Sequence, residues 1–317
     1  MTNISEHKMM SHIDRIMGEH KPITADIFLT NHCNNSCPYC TYKRWDLKTG
    51  TKAMTYQEFV EYATIMDNLG VKGYILTGGG EPMLAPEFDR IAGWLTETGK
   101  RWGINTNFNR FSYIKPDYLK VSLDGWDEES YQAARGVRMY KKVRENITRY
   151  VEWKKEHSPK TAVGIQMVAE SVEAVEQFYE GNQDLDIDYM VFRPVESTGG
   201  GYYRNKKKEL SGILNLIGDL TRFDHRVVRN FKWDLLEVQG RSCEAQWAQI
   251  AVNEYGEVMY CCHKPYQIVG HITDPDIMNR KEWADTNMRQ CDIPCRMTAP
   301  NMFVSELLRD REDDCFI

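Results

Sequence analysis

Short runs of apolar residues alternate with longer segments of helical spacing over the first two-thirds of the chain. The runs predict strands at residues 24–30, 71–76, 101–107, 118–123, 161–168 and 189–192. The longer segments predict helices at residues 55–69, 86–98, 138–155, 171–179 and 209–221. Strands that alternate with helices form parallel sheets with right-handed crossovers. The pattern therefore predicts an α/β fold, either a partial barrel or a doubly wound sheet.

The helix at residues 55–69 has the clearest local signals. Thr55 and Glu58 have the spacing of a capping box, which predicts where the helix begins. Gly70 predicts its end, because glycine readily adopts the left-handed conformation that terminates helices.

The pattern changes in the last third of the chain. Residues 248–252 and 257–260 predict two short strands, and residues 253–256 between them are typical of a hairpin turn. We therefore predict a polar lead over residues 1–23, the parallel sheet over residues 24–222, and a small α+β domain over residues 223–317.

Composition narrows the class of protein. Of the 317 residues, 42% are hydrophobic and 27% are charged, as in ordinary soluble domains, and no apolar run approaches the roughly 20 residues that span a bilayer. The net charge of −6 disfavours a general nucleic-acid binder. We expect a soluble, cytoplasmic protein.

The nine cysteines fall into two groups. Three lie at positions 33, 37 and 40, and the other six lie between positions 243 and 315. The first 19 residues are charged throughout and lack the apolar segment of a secretory signal. Because cytosolic proteins rarely contain disulfides, this clustering favours metal binding in two regions.

The first group lies in a polar loop directly after the first predicted strand. Cys33, Cys37 and Cys40 have the spacing C-x3-C-x2-C, and three thiolates in one compact loop fit three corners of a [4Fe–4S] cluster. A structural zinc site normally needs four ligands, and His32 is too close to Cys33 to share its metal easily. The loop therefore predicts a cluster with one open iron.

This loop, with Thr-Gly-Gly-Gly-Glu-Pro at residues 77–82 one βα unit later, resembles the radical S-adenosylmethionine (SAM) superfamily. The resemblance implies a partial (β/α)6 barrel in which SAM binds the open iron and is cleaved to a 5′-deoxyadenosyl radical, which abstracts a substrate hydrogen atom. It implies cofactor contacts at Tyr39, Gly78, Gly79, Gly80, Glu81, Asn107, Ser122 and Arg135. A plain glycine turn with a solvated Glu81, and an Arg135 paired with a surface acid, are the alternatives. Gln166 and Arg193 are predicted to contact the ribose of SAM or the substrate.

The second group resembles the SPASM and Twitch extensions of the same superfamily, which begin with a hairpin flanked by cysteines. Of the full SPASM motif C-x2-C-x5-C-x3-C, only Cys291-x3-Cys295 is present here. Six cysteines cannot fully ligate two [4Fe–4S] clusters, which need four thiolates each. The resemblance therefore implies a C-terminal α+β iron–sulfur domain with one auxiliary [4Fe–4S] cluster. The predicted ligands are Cys243, Cys261, Cys291 and Cys295, and structural zinc is the alternative.

Cys262 and Cys315 are not among these predicted cluster ligands. Cys262 is predicted to be an alternative ligand, a buried hydrophobic residue or a hydrogen-atom donor.

The resemblance implies an enzyme that uses SAM and an external one-electron reductant of the flavodoxin or ferredoxin type. The favoured hypothesis is an oxidoreductase acting on a small polar substrate such as a sugar, aminocyclitol or nucleotide. A peptide-modifying maturase is an alternative that loses weight because only 23 residues precede the first predicted strand. Two further hypotheses are a radical epimerase with Cys262 or Cys315 as hydrogen donor and a simple electron carrier.

Overall fold

The computed structural model describes residues 11–40, 42, 51–196, 202–229, 233, 241–282, 290, 291, 295, 298, 301 and 302. Its main element is one sheet whose first seven strands pair in parallel in sequence order. These strands are β1 (Thr24–Phe28), β2 (Gly73–Thr77), β3 (Arg101–Thr106), β4 (Tyr118–Ser122), β5 (Ala162–Val168), β6 (Tyr189–Arg193) and β7 (Val227–Arg229). The predicted α/β fold with a partial parallel barrel is confirmed.

Helices connect or flank these strands. They are α1 (Ile13–Met17), α2 (Tyr56–Leu69), α3 (Phe88–Glu97), α4 (Glu128–Arg135), α5 (Tyr140–His157), α6 (Val172–Asn182), α7 (Lys207–Phe223) and α8 (Ile277–Glu282). The predicted capping box of α2 is present, since the Glu58 amide donates to Thr55 Oγ1 at 3.2 Å and the Thr55 amide donates to the Glu58 carboxylate at 2.7 Å. Helix α2 ends at Gly70, whose φ of 98° is left-handed.

The core lies where the apolar faces of the helices pack against the sheet. Phe59, Ala63 and Met66 of α2 are fully buried, and so are Leu76 of β2 and Ile104 of β3. Each such large side chain contributes roughly 1.5–3 kcal/mol of transfer free energy. This packing fixes the order of the strands and therefore which loops meet at their carboxyl ends.

The described C-terminal residues form five short strands. They are β8 (Arg241–Ser242), β9 (Gln249–Val252), β10 (Glu257–Met259), β11 (Ile268–His271) and β12 (Gln290–Cys291), and a 3₁₀ helix (Glu244–Ala248) precedes β9. Strands β8 and β12 pair antiparallel in a separate two-stranded sheet, and the other three extend the main sheet. Strand β9 pairs in parallel with β1, whereas β10 and β11 follow antiparallel, which gives a sheet of ten strands. The predicted hairpin is present. The division at residue 222 stays a prediction, because the sheet continues across it.

The hydrophobic pattern did not indicate α4, β7 or β11. Helix α4 buries only Tyr131 and Arg135, so it has little apolar periodicity. Strand β7 has three residues, of which only Val227 is buried. Within the described ranges, no helix combines the length and apolarity needed to cross a membrane.

An ion pair joins the end of α7 to the edge strand β7. Arg226 Nε and Nη2 donate to the Asp224 carboxylate at 3.0 and 2.7 Å, and Arg226 Nη1 also donates to the Leu185 carbonyl at 2.7 Å. The hydrogen bonds from Arg226 lower the pKa of Asp224 from 3.8 to about 2. The pair therefore stabilises the folded state most when Asp224 is ionised.

We expect Asp224→Asn to lower the free energy of unfolding by about 2 kcal/mol at neutral pH. The pKa of this carboxyl is lower in the folded state than in the unfolded state. The ion pair therefore contributes its full stabilisation above pH 3.8 and loses it as the pH falls through about 2. Urea unfolding of the metal-free chain should therefore show a smaller difference between variant and wild type at about pH 3. Asp219→Asn is the control, since Asp219 and Arg222 are 58% and 77% exposed and such surface pairs contribute about 0–1 kcal/mol. An equal loss for Asp224→Asn at both pH values would contradict the assignment.

Candidate active site

A cavity of about 250 Å³ lies at the carboxyl ends of the parallel strands. Loops at this edge of a parallel sheet converge on one crevice, which is why the predicted residues meet there. The predicted residues that line the cavity are Cys33, Cys37, Cys40, Gly78, Gly79, Gly80, Glu81, Asn107, Ser122, Arg135, Gln166 and Arg193. Tyr39 is 45% exposed and is not among the described residues that line it.

Asparagine side chains fix the cysteine loop against the end of β3. Asn107 Nδ2 donates to Asn34 Oδ1 at 2.7 Å, and Asn109 Nδ2 donates to Asn35 Oδ1 at 2.6 Å. The Asn35 amide lies 3.5 Å from Cys33 Sγ, and donors near sulfur stabilise a bound thiolate. Sequence reasoning identified Asn107 but missed the partners Asn34, Asn35 and Asn109, which only the fold brings together.

The glycine loop packs directly on the chain that leaves β1. The Gly80 amide donates to the Thr30 carbonyl at 2.8 Å, and the Glu81 amide donates to the His32 carbonyl at 2.8 Å. A Cβ at Gly80 would lie 2.0 Å from the His32 carbonyl oxygen, so a side chain there would push the two loops apart. Glycine at this position keeps the backbone of both loops against the cavity.

Glu81 is buried rather than solvated, unlike the solvated side chain of the plain-turn alternative. Its carboxylate accepts hydrogen bonds from Thr106 Oγ1 at 2.5 Å, the Asn107 amide at 2.6 Å and the Met83 amide at 3.2 Å. Burial raises the pKa of Glu81, while these donors act in the opposite direction. The carboxylate therefore ties the glycine loop to the end of β3 as well as lining the cavity.

Arg135 is a buried cation at the edge of the cysteine loop. Its guanidinium forms an ion pair with Asp124 and lies 3.6 Å from Cys37 Sγ, and its carbonyl accepts from the Ser36 amide at 3.0 Å. Burial would lower the pKa of Arg135, but the Asp124 carboxylate, the Tyr39 hydroxyl and the Cys37 thiol outweigh burial and raise it. Asp124 is itself buried, so Arg135 is not a surface ion pair.

A chain of polar side chains leads from the cavity towards the C-terminal cysteines. Gln166 Nε2 donates to Ser122 Oγ at 2.9 Å, and Arg193 Nη1 lies 3.4 Å from Gln166 Oε1. Arg193 Nη2 donates to Glu196 Oε1 at 2.6 Å, and His263 Nδ1 lies 3.5 Å from Glu196 Oε2. Sequence reasoning missed Glu196 and His263, because only the fold brings their sequence positions together.

Several polar atoms of the cavity residues have no partner within the described part of the chain. They are Asn35 Nδ2, Asn105 Oδ1, Arg135 Nε and Arg193 Nε, and all four are buried. A buried polar atom without a hydrogen bond costs about 1–3 kcal/mol, so such atoms fit a site that holds a polar ligand. SAM has amino, carboxylate and ribose hydroxyl groups that can meet donors and acceptors of this kind.

The thiols of the loop fit a cluster better than a single ion. None of the described cysteines forms a disulfide. Among the described residues, no three His, Cys, Asp or Glu side chains are close enough to hold one metal ion. A [4Fe–4S] cube binds each cysteine at a different iron, so its ligands stand further apart than those of one ion. Cys33, Cys37 and Cys40 line one cavity, which is the placement that a three-cysteine cluster requires.

The second cysteine group is partly described. Strand β8 pairs with β12 so that Cys291 is opposite Arg241, which brings the Cys291 backbone close to Cys243. Cys261 and Cys262 follow β10, and the His263 amide lies 3.4 Å from Cys261 Sγ. The side chain of Cys291 and the whole of Cys315 lie outside the described residues. The predicted ligand set stays a prediction.

A small apolar cluster lies between the two cysteine groups. Phe28, Tyr42, Ala251 and Met259 form it, and both Cys40 and Cys262 pack against it. Cys262 does not line the cavity. A hydrogen bond with Cys261 and burial raise the pKa of Cys262, which keeps its thiol protonated.

The fold and the site define a partial parallel barrel with a three-cysteine loop at its carboxyl edge. The sequence profile of the Radical SAM superfamily matches residues 27–180, just under half of the chain. This region belongs to the Radical SAM superfamily, and it includes the cysteine loop, the glycine loop and Arg135.

Two curated relatives are similar to part of the chain. Fe-coproporphyrin III synthase of Methanosarcina barkeri is 26% identical over 142 residues, which cover 41% of this chain and 34% of the relative. An uncharacterized protein of Archaeoglobus fulgidus is 30% identical over 124 residues, which cover 37% of this chain and 29% of the relative. The chain therefore spans about a third of the length of the curated relatives that it matches.

Two solved structures have the same fold over most of the chain. SuiB of Streptococcus suis bound to its precursor peptide SuiA has a TM-score of 0.61 at 16% identity, covering 89% of this chain and 70% of SuiB. The enzyme anSMEcpe with bound AdoMet (SAM) has a TM-score of 0.61 at 17% identity, covering 85% of this chain and 83% of anSMEcpe. At these identities the likeness concerns the fold.

Proposed function

We propose that this protein is a radical SAM oxidoreductase that removes hydrogen from a small polar substrate. The observation that carries the proposal is the single cavity lined by Cys33, Cys37 and Cys40, the glycine loop and Arg135. When bound there, SAM and a reduced [4Fe–4S] cluster would supply a 5′-deoxyadenosyl radical that abstracts a hydrogen atom. An external one-electron reductant of the flavodoxin or ferredoxin type is the proposed partner.

The cavity residues have distinct proposed roles. Cys33, Cys37 and Cys40 would hold the cluster, and the backbone of residues 78–80 would face the amino group of SAM. The Arg135 guanidinium, with a buried Nε that has no partner within the described residues, would bind the SAM carboxylate. Ser122 and Gln166, which are hydrogen-bonded to each other, would contact the ribose.

The other side chains that line the cavity favour a polar substrate. Lys120 and Arg193 line the cavity on β4 and β6, and Glu196 holds Arg193 in place through its carboxylate. A guanidinium fixed in this way preserves its orientation for a hydroxyl, carboxylate or phosphate group of the substrate.

One auxiliary [4Fe–4S] cluster is part of the proposal. Its ligands would be Cys243, Cys261, Cys291 and Cys295, and it would supply an acceptor for the second electron of an oxidation. The apolar cluster of Phe28, Tyr42, Ala251 and Met259, which contacts both Cys40 and Cys262, supports a close approach of the two cysteine groups.

Peptide modification is the second candidate function. The observation that favours it is that two solved structures of this fold hold peptides, SuiB with its precursor SuiA and anSMEcpe with the Cp18Cys peptide. The polar wall formed by Lys120, Gln166 and Arg193 favours the small polar substrate instead.

The proposed function is tested by reductive cleavage of SAM. Anaerobically reconstituted protein, mixed with SAM and dithionite, should form 5′-deoxyadenosine, measured by chromatography and mass spectrometry. Protein that binds iron but forms no 5′-deoxyadenosine would overturn the proposal.

The role of Cys262 separates oxidation from epimerisation. Because Cys262 does not line the cavity, its thiol is not placed to return a hydrogen atom to a substrate radical there, and we expect Cys262→Ser to keep most substrate turnover. An epimerase with this hydrogen donor would instead stop after abstraction while still forming 5′-deoxyadenosine. Cys315→Ser is the matched control for a second spare thiol. Solvent deuterium found at an inverted product carbon, and lost in Cys262→Ser alone, would contradict the oxidoreductase assignment.

A further inference from the structure

Lys281 is a fully buried lysine on α8, beside the C-terminal cysteines. Its side chain is 0% exposed, and its Nζ donates to the carbonyls of Gln246 and Gln249, both at 2.7 Å. The Trp247 ring covers it at 5.9 Å from Nζ to the ring centroid. The amino group is therefore held in place by two backbone acceptors and one aromatic face.

Among the described residues, no carboxylate forms an ion pair with Lys281. Lys154 offers a direct comparison, because it is also buried and donates to a backbone carbonyl, that of Thr161, at 2.8 Å. Lys154 has in addition the carboxylate of Asp188 as its counter-charge. A buried cation without an anion is costly, so Lys281 occupies a position that needs a negative charge nearby.

The groups that can supply this charge are the neighbouring thiols. Cys243 packs against the same small cluster as Met278 of α8, and the side-chain amide of Gln249, whose carbonyl accepts from Lys281, lies 3.8 Å from Cys262 Sγ. Burial lowers the pKa of Lys281 to about 8, and the thiols of Cys261, Cys243 and Cys262 act in the opposite direction. Two of these three cysteines are proposed ligands of the auxiliary cluster, and the backbone of a third proposed ligand, Cys291, is close to Cys243. A four-thiolate [4Fe–4S] cluster carries net negative charge in both of its common redox states.

We propose that Lys281 is the buried counter-cation of the auxiliary cluster and that its positive charge raises the reduction potential of that cluster. This inference rests on the auxiliary cluster of the proposed function. Reduction adds one negative charge to the cluster, and a fixed cation in a site of low dielectric constant stabilises the reduced form more than the oxidised form. Lys281 is thus a positioning residue that favours acceptance of the substrate electron by the cluster.

The first test uses the cluster-loaded protein and redox titration followed by electron paramagnetic resonance. We expect Lys281→Met to shift the midpoint potential of the auxiliary cluster to a more negative value by at least 59 mV. This corresponds to a tenfold change in the ratio of reduced to oxidised cluster for one electron. Lys281→Arg, which keeps the charge, should restore most of the potential. The SAM-binding cluster in the same samples is the internal control and should keep its potential.

The second test uses the metal-free full chain and does not depend on either cluster. Lys281→Met removes a buried cation that has no carboxylate partner among the described residues, but it also removes two hydrogen bonds to backbone carbonyls. If Lys281 serves chiefly as a charge for the cluster, the urea midpoint of the metal-free chain should fall less in Lys281→Met than in Lys154→Met. Lys154→Met is the matched control. It should lower the urea midpoint, because it removes both the buried hydrogen bond to the Thr161 carbonyl and the ion pair with Asp188, whose side chain is 46% exposed.

The outcomes separate this inference from the proposed function. If the protein binds about eight irons per chain and the potential of the auxiliary cluster does not move in Lys281→Met, Lys281 only caps two carbonyls, and this inference alone is overturned whatever the urea midpoint. About four irons per chain would overturn the auxiliary cluster and this inference with it, while the proposed SAM cleavage would stand.

Discussion

Replacing Cys33, Cys37 and Cys40 together by alanine should abolish 5′-deoxyadenosine formation and reduce the bound iron from about eight to about four atoms per chain. The physical reason is that the three thiols line the cavity together with Arg135 and the glycine loop. Only a cluster held by three cysteines leaves an iron open for SAM. Iron analysis and product chromatography on anaerobically reconstituted protein measure both effects.

The control for this triple variant is its fold without metal. The triple variant keeps the hydrogen bonds by which Asn34 and Asn35 hold the cysteine loop to Asn107 and Asn109, so the metal-free variant should keep the wild-type circular dichroism spectrum. Cys262→Ser serves as a cysteine control that should leave the iron content unchanged. An unchanged iron content in a folded triple variant would contradict two separate cluster sites.

Much of the barrel could be predicted because its signals are local. The capping box at Thr55 and the left-handed Gly70 determine both ends of α2 within a few residues of sequence. Strand ends were less predictable: β1 was predicted to reach residue 30 but ends at Phe28. Thr30 leaves the ladder and instead forms an isolated bridge with Ala53, an interaction that its own sequence neighbourhood does not signal.

The addition of the C-terminal strands to the sheet was not predictable from local patterns. The hairpin of β9 and β10 was expected from its turn residues, but the parallel pairing of β9 with β1 joins Thr24 to Gln249. Nothing in either short strand specifies that partner. The pairing brings the C-terminal cysteines next to the barrel, and the fold alone reveals it.

The residues of the candidate site also differ in how far their sequence neighbourhood predicts their contacts. The spacing of Cys33, Cys37 and Cys40 is a local pattern whose chemistry follows from the residue types. Glu81 was expected to contact SAM, and the structure gives its carboxylate two further partners, Thr106 and the Asn107 amide, that no local pattern indicates. Buried charges are the least predictable part, because a lysine such as Lys281 has the sequence context of an ordinary surface helix.

Replacing Cys243 and Cys261 together by alanine should remove the auxiliary cluster and substrate turnover while some uncoupled SAM cleavage remains. Neither cysteine lines the cavity, so the residues that would hold SAM keep their contacts in this variant. The iron content should fall to about four atoms per chain, the same value as in the triple variant but from the other site.

The triple variant (residues 33, 37 and 40) and the double variant (residues 243 and 261) therefore serve as controls for each other, because each removes one cluster and leaves the other. Equal iron contents with opposite results for 5′-deoxyadenosine would assign SAM cleavage to the loop at residues 33–40 and the later electron to the second group. Cys243 precedes the 3₁₀ helix that packs on α1, so the double variant must first be shown to keep its fold by circular dichroism. If a folded Cys243→Ala/Cys261→Ala protein forms no 5′-deoxyadenosine at all, SAM cleavage depends on both cysteine groups. The division of labour between the two sites is then wrong.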